Sequence, residues 1–152
     1  MVILSIDSGI EKTGFAVFNG IKYVTSALIT TPKTDSTEIR LMKIHNYLKK
    51  IFAKHKPDVV VVEQLFFFNN QKTAIRVSQA QGVVLLLAAQ NKIEVKFLTP
   101  LQIKQTVTGY GQADKKSVQK MIRLVNGIDI KQDDEADAVA CGLAYCYLNK
   151  IS

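Results

Sequence analysis

Four consecutive valines, Val59-Val60-Val61-Val62, constrain this chain more tightly than any other feature. β-Branched side chains favour extended backbone, and an extended segment points its neighbours to opposite sides. A strand that is apolar on both sides must be covered on both sides, which places it inside a mixed or parallel sheet flanked by helices. The run closes on an acid, Glu63, and Lys56-Pro57-Asp58 breaks the chain before it. A second apolar run, Val2-Ile3-Leu4-Ser5-Ile6, also closes on an acid, Asp7.

The remaining elements follow from periodicity. Gly14–Phe18 and Tyr23–Thr30 read as strands, and Asn19-Gly20 between them is a two-residue hairpin signal. A helix is expected from about Ser36 to Lys54, with Leu41, Ile44, Leu48, Ile51 and Phe52 on one face. Asn69 to Gln90 reads as helical, and its apolar second half predicts a core helix. Glu94–Leu98 reads as a fifth strand, and Thr99-Pro100 opens a short helix with proline in its first turn. Thr108-Gly109-Tyr110-Gly111 is a loop, and helices follow from about Lys115 to Asn126 and from Asp134 to Asn149. The order β-β-β-α-β-α-β-α-α predicts one α/β domain over residues 1–152, built on a five-stranded sheet.

The formal charge of +7 points to a polyanionic partner, nucleic acid before membrane. Its distribution is more telling. Arg40 to Lys56 carries six Lys or Arg and no acid, whereas Asp129 to Asp137 carries five acids against Lys131 alone. The longest apolar stretch, Gly82 to Ala89, is too short to span a bilayer. The first strand starts within two residues of Met1, so no signal peptide is expected, and the chain reads as cytoplasmic. Cys141 and Cys146 lack zinc-ligand spacing and are expected to be reduced packing residues.

Asp7, Glu63, Asp134 and Asp137 are the candidate site. Each has an ordinary explanation. Asp7 before Gly9 suits a turn, Glu63 suits a buried salt bridge, and acids in the first turn of a helix favour its dipole. Together they place two carboxylates at strand ends and two on one helix face. Unit charges about 4 Å apart repel by roughly 4 kcal/mol at an effective dielectric near 20. A pair of Mg²⁺ ions bound through oxygen relieves that repulsion and supplies hydrolytic chemistry.

Four segments in order resemble the RuvC family, the bacterial Holliday-junction resolvases. They are Ser5-Ile6-Asp7-Ser8-Gly9 through Thr13-Gly14, Val62-Glu63-Gln64, Ile103-Lys104-Gln105-Thr106-Val107, and Asp134-Glu135-Ala136-Asp137-Ala138. The resemblance implies a ribonuclease H-like fold, a homodimer, and Mg²⁺-dependent nicking of four-way DNA junctions, with two ions per site and Mn²⁺ as a substitute. It places the catalytic and metal-binding acids at Asp7, Glu63, Asp134 and Asp137, and basic residues near the scissile phosphate at Lys104 and Lys115. It implies DNA contacts from Phe66 or Phe67, in the run Phe66-Phe67-Phe68 where one ring is expected to be core. Lys72, Arg76, Tyr110 and Lys116 complete the expected DNA surface. Ser8 stands where the family usually has proline. The helix Ile75–Ala89, with Val77, Val84 and Leu85, is expected to supply part of the dimer contact. Partnership with the RuvA–RuvB branch-migration machine is implied by the resemblance alone.

Three rivals remain at this point. One is another nuclease of this fold acting on RNA or on branched DNA generally. A second is a nucleotide-binding ATPase of the actin and sugar-kinase type, which also uses a strand, an acid and glycine turns, but between two domains. The third is a junction binder that never cuts, against which retention of all four acids speaks.

Overall fold

A computed structural model describes residues 1–64 and 71–152. The expected Phe66, Phe67 and Phe68 contacts lie outside the described residues. β1 (Val2–Asp7), β2 (Lys12–Asn19) and β3 (Lys22–Thr30) form an antiparallel meander, followed by α1 (Thr37–His55), β4 (Val59–Glu63), α2 (Gln71–Gln90) and β5 (Glu94–Leu98). Three helices close the order: α3 (Pro100–Thr108), α4 (Lys115–Asn126) and α5 (Asp133–Leu148). The sequence order thus gains one helix, because the short segment opened by Thr99-Pro100 is a full element. Its capping box is complete, with Gln102 N–H donating to Thr99 Oγ1 at 3.1 Å and Thr99 N–H donating to Gln102 Oε1 at 2.9 Å.

The sheet order is β3-β2-β1-β4-β5, with β1–β4 and β4–β5 parallel and the β1–β2 and β2–β3 pairs antiparallel. This mixed sheet flanked by helices is the ribonuclease H-like arrangement that was expected. β2 starts at Lys12, two residues before the expected Gly14. The polar pair Lys12-Thr13 hides that start from an apolar pattern, yet it pairs with Thr30 and Ile29. The hairpin forms as expected, with its two loop residues one position on: Asn19 pairs with Lys22, leaving Gly20 and Ile21 as the turn. Gly20 has φ +60, which suits the first central position of a II′ turn.

Alternation along the strands divides the core in two. Leu4, Ile6, Phe15, Val17, Val60 and Val62 face α1 and α2. Ile3, Ala16, Phe18, Val59 and Val61 face the layer of α3, α4 and α5. The four valines are each 2% exposed or less, as a two-sided strand requires.

α2 departs from the expectation of a core helix. Ala80, Val84, Leu87 and Ala88 are buried, whereas Ile75, Leu85 and Leu86 are exposed. One face packs on α1 and the sheet, and nothing covers the other among the described residues. Val84 belongs to the core and is removed from the expected dimer surface. Val77 lines the groove beside the acids, which leaves Leu85, joined by Ile75 and Leu86, on the open face. Among the described residues no helix is long and apolar enough to cross a membrane. Cys141 and Cys146 are buried and free, as read from their spacing.

Candidate active site

Strand register brings the first two acids together. β1 and β4 run parallel with Ile6 beside Val62, so the next pair along is Asp7 and Glu63. Alternation puts both on the α5 side of the sheet, on strands about 4.8 Å apart. On the other side of Asp7, β2 contributes Gly14. A Cβ at Gly14 would overlap the Asp134 carbonyl. Glycine there lets the first turn of α5 rest directly on the sheet, next to Asp7. Gly142, two turns later, gives the same close approach, since its Cβ would collide with the Phe18 ring and the Ser5 hydroxyl.

Asp7, Glu63, Asp134 and Asp137 accordingly line one cavity of about 410 Å³, together with Ser8, Gly9, Gln64, Val77 and Pro100. Asp7 is pushed up from an ordinary 3.8 to about 8 by burial, then by the charges of Glu63, Asp137 and Asp134, with Lys115 opposing. Burial and the Asp137 charge raise Glu63 to about 7, against the pull of Lys104 and Lys115. Burial also raises Asp137, an effect Lys115 opposes and Asp134 and Asp133 reinforce. Such mutual penalty is the signature of carboxylates gathered without enough cation nearby.

The donor set suits a hard divalent cation, being all oxygen and strongly anionic. Among the described residues, however, no three Asp, Glu, His or Cys side chains are grouped tightly enough to hold a metal ion as they stand. The acids line one cavity without forming a closed cage.

Both expected lysines are adjacent. Lys104 and Lys115 line a smaller cavity of about 150 Å³ with Glu63 and Asp137. Lys115 Nζ lies 3.4 Å from Asp133 and 3.8 Å from Asp137. Burial lowers the Lys115 pKa, but the carboxylates of Asp137 and Asp133 overcome this and hold it above the ordinary value. Arg76 lines the neighbouring groove of about 450 Å³ with Lys12 and Asp134. Tyr110 is 60% exposed and lines a separate pocket with Gln112 and Ser117, so it does not join the acids. Lys116 is exposed on the first turn of α4, and Lys72 lies on the first turn of α2.

The turn after β1 is held without proline. Thr13 Oγ1 donates to the Gly9 carbonyl at 2.6 Å, and Gly9 has no Cβ to obstruct the Lys12 carbonyl. Thr13 and Gly14 were read only as part of a motif. The contacts that explain them span the whole chain and leave no local signal.

The family model for crossover junction endodeoxyribonuclease RuvC matches residues 3–146. The chain is 40% identical over 155 residues to the RuvC of Caldicellulosiruptor saccharolyticus, covering 97% of this chain and 92% of that one. It is 39% identical to the RuvC of Brachyspira hyodysenteriae, with 99% and 97% covered. Among solved structures, Thermus thermophilus RuvC in complex with a Holliday junction substrate superposes with a TM-score of 0.91 at 28% identity, covering 99% of this chain and 95% of that one. Near-complete coverage in both directions, on the fold that gathers the four acids, shows that the chain belongs to the RuvC family of crossover junction endodeoxyribonucleases.

Proposed function

We propose that this chain resolves four-way DNA junctions by metal-assisted hydrolysis, with Asp7, Glu63, Asp134 and Asp137 as the ligands. The observation that carries the reading is the placement of Asp7 and Glu63 on adjacent strand ends beneath the first turn of α5, in one cavity. Two Mg²⁺ ions, or Mn²⁺ in their place, would supply an activated water and stabilise the departing 3′ oxygen.

The protein's own groups do the rest. Asp7 lies between the other three acids and is the most strongly perturbed, which suits a carboxylate shared between ions. Lys104 and Lys115 stand beside Glu63 and Asp137 and offset the charge that builds on the phosphate. Arg76 and Lys12 line the groove next to Asp134, where a phosphate backbone entering the site would run. Lys72 and Lys116, with Tyr110 and one of Phe66 and Phe67, extend that DNA surface. Affinity drawn from phosphate contacts falls steeply with salt.

A four-way junction has two-fold related strands, so a two-fold homodimer presents one site to each and nicks them in pairs. The open face of α2, with Ile75, Leu85 and Leu86 exposed, supports this as the dimer contact. Action on DNA junctions favours a cytoplasmic location, and family membership supports docking with a RuvA–RuvB machine.

The test is a synthetic junction incubated with Mg²⁺. Wild type is expected to give symmetric nicks in opposed strands, ahead of linear duplex and RNA–DNA hybrid. Asp7→Asn, Glu63→Gln and Asp137→Asn are expected to bind the junction and lose cutting by at least about 10³-fold. Cutting that survives all three substitutions would remove the mechanism.

A further inference from the structure

Between Asp134 and Asp137, the two acids of α5 that face the cavity, the helix carries another carboxylate, Glu135. It does not line that cavity. Ser26 Oγ, on β3, donates to Glu135 Oε1 at 2.5 Å. A serine has one proton to give, so the Tyr23 hydroxyl, 2.9 Å from Ser26 Oγ, donates to it in turn. Tyr23 is itself held edge-on against Phe18 in the core, at 6.1 Å between ring centroids.

A second hydroxyl grips the same helix three residues further on. Ser5 Oγ donates to the Ala138 carbonyl at 2.7 Å. Strand register makes the two grips one device. Ser5 pairs with Ala16, and Ala16 pairs with Ser26, so all three lie in one row across the sheet on the α5 side. The row is small in the middle and polar at both ends. The two hydroxyls seize α5 at positions 135 and 138, on either side of Asp137. A helix resting on a smooth apolar surface can slide or rotate, and about 100° of rotation moves a side chain by one residue's worth of arc. Two fixed hydrogen bonds at separate points remove that freedom.

We infer that Glu135 is a positioning residue: bound by Ser26, and seconded by Ser5 at Ala138, it fixes the rotation of α5 and so aims Asp134 and Asp137 at the ions. This rests on the proposed assignment of the four acids as ligands. Glu135 differs from them in kind, since its charge is spent on the sheet and not on the cavity. Partners that orient metal ligands change metal affinity by about 10- to 100-fold when removed.

The experiment measures Mn²⁺ binding by calorimetry on the intact chain, alongside the Mg²⁺ concentration for half-maximal junction cleavage and the melting temperature in EDTA. Glu135→Ala and Ser26→Ala are each expected to weaken Mn²⁺ binding about 10-fold and to raise the Mg²⁺ requirement in parallel. Cleavage at saturating metal is expected to stay near wild type, because excess ion restores the same site. Glu135→Gln keeps the acceptor oxygen and is expected to bind Mn²⁺ as wild type does. Ser26→Ala removes a single oxygen and keeps the test valid even where Glu135→Ala folds poorly. Lower melting temperatures with unchanged Mn²⁺ affinity would overturn the inference. So would weakened binding in Glu135→Ala with none in Ser26→Ala, which would make Glu135 a ligand in its own right. A wild type that binds no Mn²⁺ would overturn the four-acid assignment and this inference together, whereas normal wild-type binding matched by both variants overturns this inference alone.

Discussion

Replacing Asp7 by asparagine should make the ion-free protein more stable, although it should destroy cutting. The magnitude follows from the site. In the folded chain Asp7 titrates near 8, against an ordinary 3.8. Between those values the folded state holds more protons than the unfolded chain, so stability falls as pH rises from about 4 to about 8 and falls no further above it. Each pH unit across that window costs roughly 1.36 kcal/mol, which makes the full penalty on the order of 5 kcal/mol at pH 8. At pH 5 only the first unit or so has been crossed, and the penalty is on the order of 1–2 kcal/mol.

Asparagine is close in shape and neutral at every pH, so it removes the penalty and leaves the packing. Allowing about 1–2 kcal/mol for an amide that lacks partners, Asp7→Asn should exceed wild type by about 3–4 kcal/mol at pH 8 and match it to within about 1 kcal/mol at pH 5. Urea unfolding in EDTA, followed by circular dichroism at both pH values, reads the difference. With a denaturant slope of about 2 kcal/mol per molar, the midpoint should move up by about 1.5–2 M at pH 8. Added Mg²⁺ should then stabilise wild type by linkage and leave Asp7→Asn unchanged. A variant no more stable than wild type at pH 8, or a gap that fails to narrow toward pH 5, would refute the account of the site as strained by its own charge.

Gly82→Ala should separate the two faces of α2. A Cβ at Gly82 meets nothing within 4 Å, so alanine should stabilise the isolated chain by about 1 kcal/mol; lying one turn from Leu86 and two from Ile75, it should also weaken self-association, as read by sedimentation equilibrium. Unchanged association would remove that face as the dimer contact. The acid limb of the cleavage rate should move to lower pH as Mg²⁺ is raised, because protons and ions compete for Asp7 and Glu63; a limb fixed across a hundredfold range of Mg²⁺ would count against their role as ligands.

How far the site was legible depends on whether its geometry is set locally. Asp7 and Glu63 could be read because strand alternation is local. An acid closing each of two apolar runs falls on a definite face, and parallel neighbours then share it. α1, β4 and β5 were legible for the same reason, each being marked by its own side chains. α2 was misread because its apolar second half says how much surface wants cover, and not which side receives it. The sheet and α1 cover only the Ala80, Val84, Leu87 and Ala88 side, and no property of the segment itself decides that. Glu135 was the least legible. Helical spacing already separates it from Asp134 and Asp137, but the residue that gives it a purpose, Ser26, lies 109 positions earlier. Gly14 and Gly142 belong with it, since each is explained by a backbone or ring that arrives from the far end of the chain. The candidate ligands can thus be found from single segments, whereas the contacts proposed to aim them exist only as pairs. A substitution at Ser26 or Gly14 would leave all four candidate acids in the sequence intact and still disturb the cavity they line.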